Sequence, residues 1–271
     1  MKATNVASIV RLASLAAVAV LAGACARVDD EARRAALRAA DIADINNLMS
    51  LHSWYHAAMQ NDVELEKIWS KRPDVIWAQQ SGYFKGMDSI RKYYGQKATP
   101  ETTEGGFVWH TITSPVVVVA GDRQTAKGVW YTPGVGGKLN RDGSGNAGWM
   151  WEKYGVDFVR EDGEWKIWHM KVYTDFSVPV GGRMGEGGGM GPPPVAAKPG
   201  KAAGAEKIGA TETQGGGAPP AGAPPPQAQW DYTYQHPYEG WAAGVSPRLV
   251  PQPPVPYQTF SETWSYADEG E

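Results

Sequence analysis

"YGVDFVREDGEWKIWHMKVYTDF", Tyr154–Phe176, reads as two strands around Asp162-Gly163. An Asp-Gly pair between alternating apolar runs is the strongest short-range signal for a type I′ hairpin. Centring the turn there pairs Glu161 with Glu164, and then Phe158 with Ile167, Val156 with His169, Tyr154 with Lys171 and Glu152 with Tyr173. Paired residues share a sheet face, as do alternate residues along each strand. One face is thus apolar near the turn (Phe158, Ile167, Val156) and polar beyond it (His169, Tyr154, Lys171, Glu152, Tyr173). The other carries Asp157, Trp168, Met170, Lys153, Val172 and Trp151, a set suited to packing against another surface. A one-residue bulge would exchange the two faces beyond it. Glu, Lys, Tyr and His gathered in a partly dry pocket would perturb one another's pKa values. The bland alternative is a Glu152–Lys171 salt bridge on an exposed face.

Upstream, Ile42, Ile45, Leu48, Met49, His52, Tyr55, His56 and Met59 recur at spacings of three and four, tracing one face of a helix. Asn61-Asp62 interrupts it and "VELEKIWS" predicts a second short helix. "PDVIWAQQSGYFKG" predicts a strand, a turn and an extended piece; "MDSIRKYYGQ" predicts a short helix with Asp88 or Ser89 near its cap. "GFVWHTITSPVVVVA" and "QTAKGVWYT" form a hairpin around Gly121-Asp122, which puts Tyr131 opposite Ile112 and on the side of His110. "PGVGGKLNRDGSGNAG" reads as a flexible loop before the opening hairpin.

The ends differ from this middle. Residues 1–25 have the pattern of a signal peptide: Lys2 and Arg11, then the apolar run "LASLAAVAVLAGA", too short to span a bilayer. The sole cysteine, Cys25, closes "LAGAC", which resembles a bacterial lipobox and makes Cys25 the lipidation candidate. Ala26, and not Asp, follows it, a pattern that implies outer-membrane sorting. The expectation is export to the periplasm, or to the outer membrane as a lipoprotein; ordinary cleavage near Ala24 or Ala26 is the alternative. Residues 181–229 are mostly Gly, Pro and Ala and read as a linker. In residues 230–271 Trp and Tyr return among prolines, which predicts an extended strap laying aromatic rings on the folded domain. Net charge is −3, so no strong field points to nucleic acid.

The middle, residues 30–180, resembles the SnoaL-like branch of the nuclear transport factor 2-like superfamily. "G-x-x-x-I-x-x-Y-Y" (Gly86, Ile90, Tyr93, Tyr94) and "R-x-D-G-x-W-K-I" (Arg160, Asp162, Gly163, Trp165, Lys166, Ile167) carry the match. The resemblance implies an α+β fold: a cone-shaped, curved antiparallel sheet wrapped on a long N-terminal helix, with a pocket at its open end. It also implies a homodimer and cofactor-free lyase or dehydratase chemistry on a hydrophobic, aromatic small molecule. His110 falls where scytalone-type dehydratases place a strand histidine, and Glu152 and Tyr154 fall at their paired Ser and Asn. Tyr55 lies near the helix tyrosine of ketosteroid isomerases. Gln79 stands where those enzymes have their Asp base and cannot act as one. The dehydratase Tyr-Asp pair, near Ala57–Gln60, is absent.

The expected catalytic set is therefore His110 and Glu152 as an acid–base pair, with His169 as a spare proton carrier. Tyr55, Gln79, Tyr131, Tyr154, Lys171 and Tyr173 are expected to hold substrate. His52 and His56 read as core or rim histidines, and His236 acts only if the strap covers the mouth. "HSWYH" lacks the glutamate of a zincin helix and no third ligand is evident, so no metal or cofactor is expected. Two alternatives stay open: a non-catalytic binding protein, and an envelope interaction protein acting through its tail.

Overall fold

The computed structural model describes residues 4–95, 99–181, 230–241 and 245–268, with side chains from residue 27 onward. Cys25 and residues 182–229, the lipidation candidate and most of the expected linker, lie outside the described side chains and residues. The chain divides into two units, Met1–Ala43 and Asp44–Glu271. The first unit is helical from Thr4 and mostly exposed from Arg27 to Ala40, with an i,i+4 ion pair between Arg34 and Asp30. Among the described residues no helix is long and apolar enough to cross a membrane.

The second unit begins with the last turns of α1 (Thr4–Ala57), where Ile45, Leu48, Met49 and His52 are buried at the spacing of one helical face. α2 (Asn61–Lys67) follows, and buries Glu64 and Leu65. β1 (Ile76–Ala78) and β2 (Gly82–Lys85) form a short hairpin. α3 (Met87–Tyr93) starts at Gly86, whose φ of +85° and lack of a side-chain cap differ from the expected Asp88 or Ser89 cap. A positive φ at the start suits glycine. α4 (Pro100–Thr103) is capped reciprocally by Thr99 and Thr102.

The sheet then dominates. β3 (Gly106–His110) and β4 (Thr113–Val119) both pair with β5 (Thr125–Leu139), followed by β6 (Gly145–Glu161) and β7 (Glu164–Pro179). The order is β3-β5-β6-β7-β1-β2-β8, where β8 is Tyr232–Thr233 and β4 lies beside β5. All pairings are antiparallel except β1 with β7. The sheet is curved and unclosed. Most of the Gly-rich stretch expected to be a loop is instead strand, with only residues 140–144 left as the turn: β5 runs through "PGVGGKL", and Gly134 and Gly137 sit where a Cβ would press on neighbouring backbone. Their small size permits the close strand approach there.

The opening hairpin turns at Asp162-Gly163 as expected, with φ of +51° and +85°. Register also agrees from Glu161–Glu164 to Phe158–Ile167. There the ladder shifts: Trp168 is an extra residue, and Asp157, not Val156, pairs with His169. A second shift between Trp151 and Glu152 makes Asp175 extra. Beyond the first bulge the β7 residues exchange faces while those of β6 keep theirs. Inward face Val156, Met170, Tyr154, Val172, Glu152 and Thr174; outward face Asp157, His169, Gly155, Lys171, Lys153 and Tyr173.

Part of the outward face is covered by the chain's own C-terminal segment. Tyr266 lies flat against Gly155, where a Cβ would come within 2.5 Å of its ring. Trp230, Tyr234, Tyr257 and Tyr266 are buried, so the aromatic strap expected from sequence packs on the sheet. It occupies part of the face that the sequence assigned to a second copy.

Candidate active site

Five elements converge on the inner face. His52 and His56 stand one turn apart on α1, with rings stacked at 5.7 Å. The His56 ring meets His110 of β3 edge-on at 5.1 Å, and His52 meets Tyr154 of β6 edge-on at 5.4 Å. His110 Nδ1 is 3.4 Å from Glu152 Oε2 and 3.5 Å from the Tyr154 hydroxyl. Thr174 donates to Glu152 Oε1 at 2.8 Å. Ser53 of α1 donates to the carbonyl of His110 at 2.5 Å, locking helix to strand.

Glu64 of α2 forms the other half. Its Oε1 takes hydrogen bonds from Trp69 Nε1 and meets His52 Nδ1, each at 2.8 Å, while Oε2 accepts from the Tyr94 hydroxyl at 2.8 Å. His56 Nδ1 lies 3.1 Å from Asn61 Oδ1 and 3.3 Å from the Tyr94 hydroxyl. His52 Nε2 is buried and has no hydrogen-bond partner among the described residues, an orphan that a ligand oxygen or a water would satisfy. Among the described residues no three His, Cys, Asp or Glu side chains converge as metal ligands.

Burial sets the protonation. It raises the Glu152 carboxyl to about 7, against the opposing hydrogen bond from Thr174 and the charge of His52. Burial, then the charges of His56 and His52, hold His110 well below the usual imidazole range. His56 is lowered by burial and by His52, with Glu64 opposing. For Glu64 burial pulls upward, but the charge and hydrogen bond of His52, with His56 and Trp69, together outweigh it and leave the carboxyl low. Burial and the nearby carboxylates push the Tyr94 and Tyr154 phenols well up, so both remain hydrogen-bond donors. Two carboxylates in one site thus differ: Glu64 stays ionised while Glu152 sits near neutrality.

The sequence profile of the SnoaL-like domain family matches residues 37–171. These residues are a SnoaL-like domain. Solved structures with a similar fold include LinA, at 19% identity over 54% of this chain and 93% of that one, with a TM-score of 0.43. An NTF2-like protein with a cystatin-like fold from Novosphingobium aromaticivorans is 17% identical over 52% and 86% of the two chains, at a TM-score of 0.41. A putative scytalone dehydratase from the same organism is 15% identical over 52% and 88%, at 0.41. No curated protein matches the chain.

Within the SnoaL-like domain, His110, Glu152 and Tyr154 come together. The remaining expected residues separate from them. The bulge at Trp168 sends His169, Lys171 and Tyr173 to the outer face. There His169 Nδ1 meets Asp157 Oδ2 at 3.0 Å, and Lys171 lies 4.0 Å over the Tyr234 ring. Tyr131 pairs with Thr113, not Ile112: the loop between β4 and β5 spans Gly121 to Gln124, two residues more than the expected turn, and the ladder then shifts by one between Thr113 and Val116, which leaves Tyr131 43% exposed on the outer face. Tyr55 is half-buried on α1 outside the hydrogen-bonded cluster. Gln79 lies just after β1, with a buried Oε1 lacking a partner among the described residues. The alternative Glu152–Lys171 salt bridge is ruled out by the same exchange of faces. His236 is exposed on the segment that covers the outer face.

The outer-face polar group is an anchor. Asp157, fully buried, accepts from Lys127 Nζ at 2.6 Å, Ser265 Oγ at 2.6 Å and the Tyr266 amide at 3.2 Å. Ser265, His169 and Asp157 have the composition of a hydrolytic triad but not its wiring. Ser265 Oγ and Asp157 both meet His169 Nδ1, whereas a relay needs the two ring nitrogens separately.

Sequence reasoning passed over Glu64, Tyr94 and Thr174 and weighed His52 and His56 as core. Glu64 was hidden among the charges of "NDVELEK", and no spacing in that stretch marks it as buried.

Proposed function

We propose that this is an exported SnoaL-like protein that binds a hydrophobic, aromatic small molecule and carries out cofactor-independent acid–base chemistry of the lyase or dehydratase type. The carrying observation is the buried His110–Glu152 pair at 3.4 Å, joined to Tyr154. A carboxyl titrating at about 7 can take a proton from carbon or return one to a leaving oxygen at neutral pH. Neutral His110 accepts or supplies the hydrogen bond that turns the carboxyl, and the Tyr154 and Tyr94 hydroxyls donate to substrate oxygens. The orphaned His52 Nε2 supports a polar ligand atom beside them.

The test is turnover of lignin-derived and polyketide-type aromatics by the purified protein, followed by mass spectrometry. Activity lost at least about 100-fold in Glu152→Gln and His110→Ala supports the reading. Saturable binding without turnover of any compound favours a carrier instead, a reading that the mutual satisfaction of Glu64, His52, Trp69 and Tyr94 also suits.

Export with a lipid on Cys25 belongs to the same proposal and rests on "LAGAC". Wild type should partition into a detergent phase and Cys25→Ser should not. The homodimer rests on the uncovered end of the outer face, where Trp109 and Trp149 flank Val135 and are 58% and 52% exposed. Sedimentation equilibrium should show self-association that Trp149→Asp removes.

A further inference from the structure

The outer face holds a second concavity, on the opposite side of the sheet from the His110–Glu152 pair. It is a half-open cleft of about 440 Å³ between β5, β6 and β7 and the C-terminal segment. That lies within the range of about 300–1,000 Å³ usual for small-ligand sites. Its apolar part is aromatic. Trp151 and Phe176 are cross-strand partners with nearly parallel rings at 6.4 Å, Tyr131 leans on Trp151 at 5.9 Å, and Trp241 meets Phe176 edge-on at 6.5 Å. Tyr131, Trp151 and Trp241 are 43%, 37% and 50% exposed, so each keeps accessible surface in the cleft.

The polar part is balanced in charge. Lys153 Nζ contacts Asp175 Oδ1 and the Tyr238 hydroxyl, each at 3.0 Å, and Tyr238 donates to Asp175 at 2.5 Å. Arg248 lies 5.8 Å over Tyr238 and donates to the Glu239 carbonyl at 2.8 Å. The lining thus has two cations, Lys153 and Arg248, and two anions, Asp175 and Glu239. No net field selects a charged ligand, while donors and acceptors stand beside exposed ring faces. The wall is also built. The Trp241 amide donates to the Asp175 carbonyl at 2.8 Å, and at Gly240 a Cβ would come within 2.4 Å of the same oxygen. Only glycine allows the segment to approach the strand this closely.

We propose that this cleft binds a neutral saccharide. A sugar ring offers an apolar C–H face to stack on Trp151 and Trp241 and hydroxyls that both donate and accept, which matches a charge-balanced rim. A hydrophobic aromatic would use the ring faces but none of the rim's remaining donors and acceptors, and an anion or cation would meet equal attraction and repulsion. The site is independent of the inner cluster.

The experiment is titration of the full-length protein with maltotriose, cellotriose and chitotriose, read by tryptophan fluorescence and calorimetry, with 1-naphthol as the aromatic comparator. At least one trisaccharide should bind saturably. Affinity should fall at least about tenfold in both Trp151→Ala and Trp241→Ala, each with an unchanged circular dichroism spectrum, and should stay within about twofold in Glu152→Gln. Trp241 is half exposed, so its variant keeps the test alive if Trp151→Ala does not fold. No saturation with any trisaccharide to about 10 mM overturns the proposal. So does binding that ignores both tryptophans, or binding of 1-naphthol alone at this cleft.

Discussion

Glu152 and Asp157 sit five positions apart on one strand and titrate in opposite directions. Burial raises Glu152 to about 7 from a usual value of 4.5. The unfolded chain therefore ionises first, and stability falls as pH rises from about 4.5 to about 7, then levels off. About 2.5 pH units at 1.36 kcal/mol each bound the loss at about 3 kcal/mol. Glu152→Gln should abolish this slope and raise the melting temperature at pH 8, even as it removes any turnover; calorimetry across pH checks it. Asp157 behaves in reverse. Burial pulls it upward, but the hydrogen bond to His169 and the charge of Lys127 dominate and hold it low. Its contribution is present above the unfolded carboxyl range and is lost as pH falls through the folded value. Asp157→Ala strands the buried Lys127 ammonium without its carboxylate and should cost about 3–5 kcal/mol in urea unfolding.

At the scale of elements, β7 decides which residues share a surface. Trp168 donates to Asp74 at 3.0 Å and packs on Arg72 and Phe260, so the bulge residue is held from outside the hairpin. Deleting Trp168 should push His169, Lys171 and Tyr173 into the core and prevent folding, whereas Trp168→Phe should fold with a loss of about 1 kcal/mol; chemical denaturation of both variants distinguishes them. The turn at Asp162-Gly163 was legible because only residues tolerant of positive φ fit it. The bulge was not, because "IWHMKVYTDF" alternates polar and apolar acceptably in either phase. Glu152 was reachable from sequence because it lies on β6, which carries neither extra residue, and His110 because the family resemblance placed it. Glu64 was not, because helix periodicity marks apolar faces and is silent about a carboxylate among other charges.

For the whole molecule, the C-terminal segment is structural. Ser265 and Tyr266 bond Asp157, Trp264 accepts from Lys127 through its carbonyl, and Tyr257 bonds Thr125 at 3.2 Å. A chain ending at residue 256 should melt several degrees lower and bind a dye specific for exposed apolar surface, as fluorescence during a thermal scan would show. The helix and the hairpins could be read from periodicity, whereas their arrangement as a curved sheet on that helix was implied by the family resemblance. The covering of the outer face could be anticipated only as an aromatic excess without an address, since prolines and tyrosines carry no register.

The two extra residues of β7, Trp168 and Asp175, act as a frameshift and its suppressor. Six side chains between them, residues 169–174, are read in the opposite phase, and the original phase resumes at Phe176. Point changes in that cassette alter one surface at a time. A single-residue loss at one boundary, matched by a gain at the other, would invert all six while leaving both ends of the hairpin in place, trading the lining of the inner cluster for the footing of the outer segment.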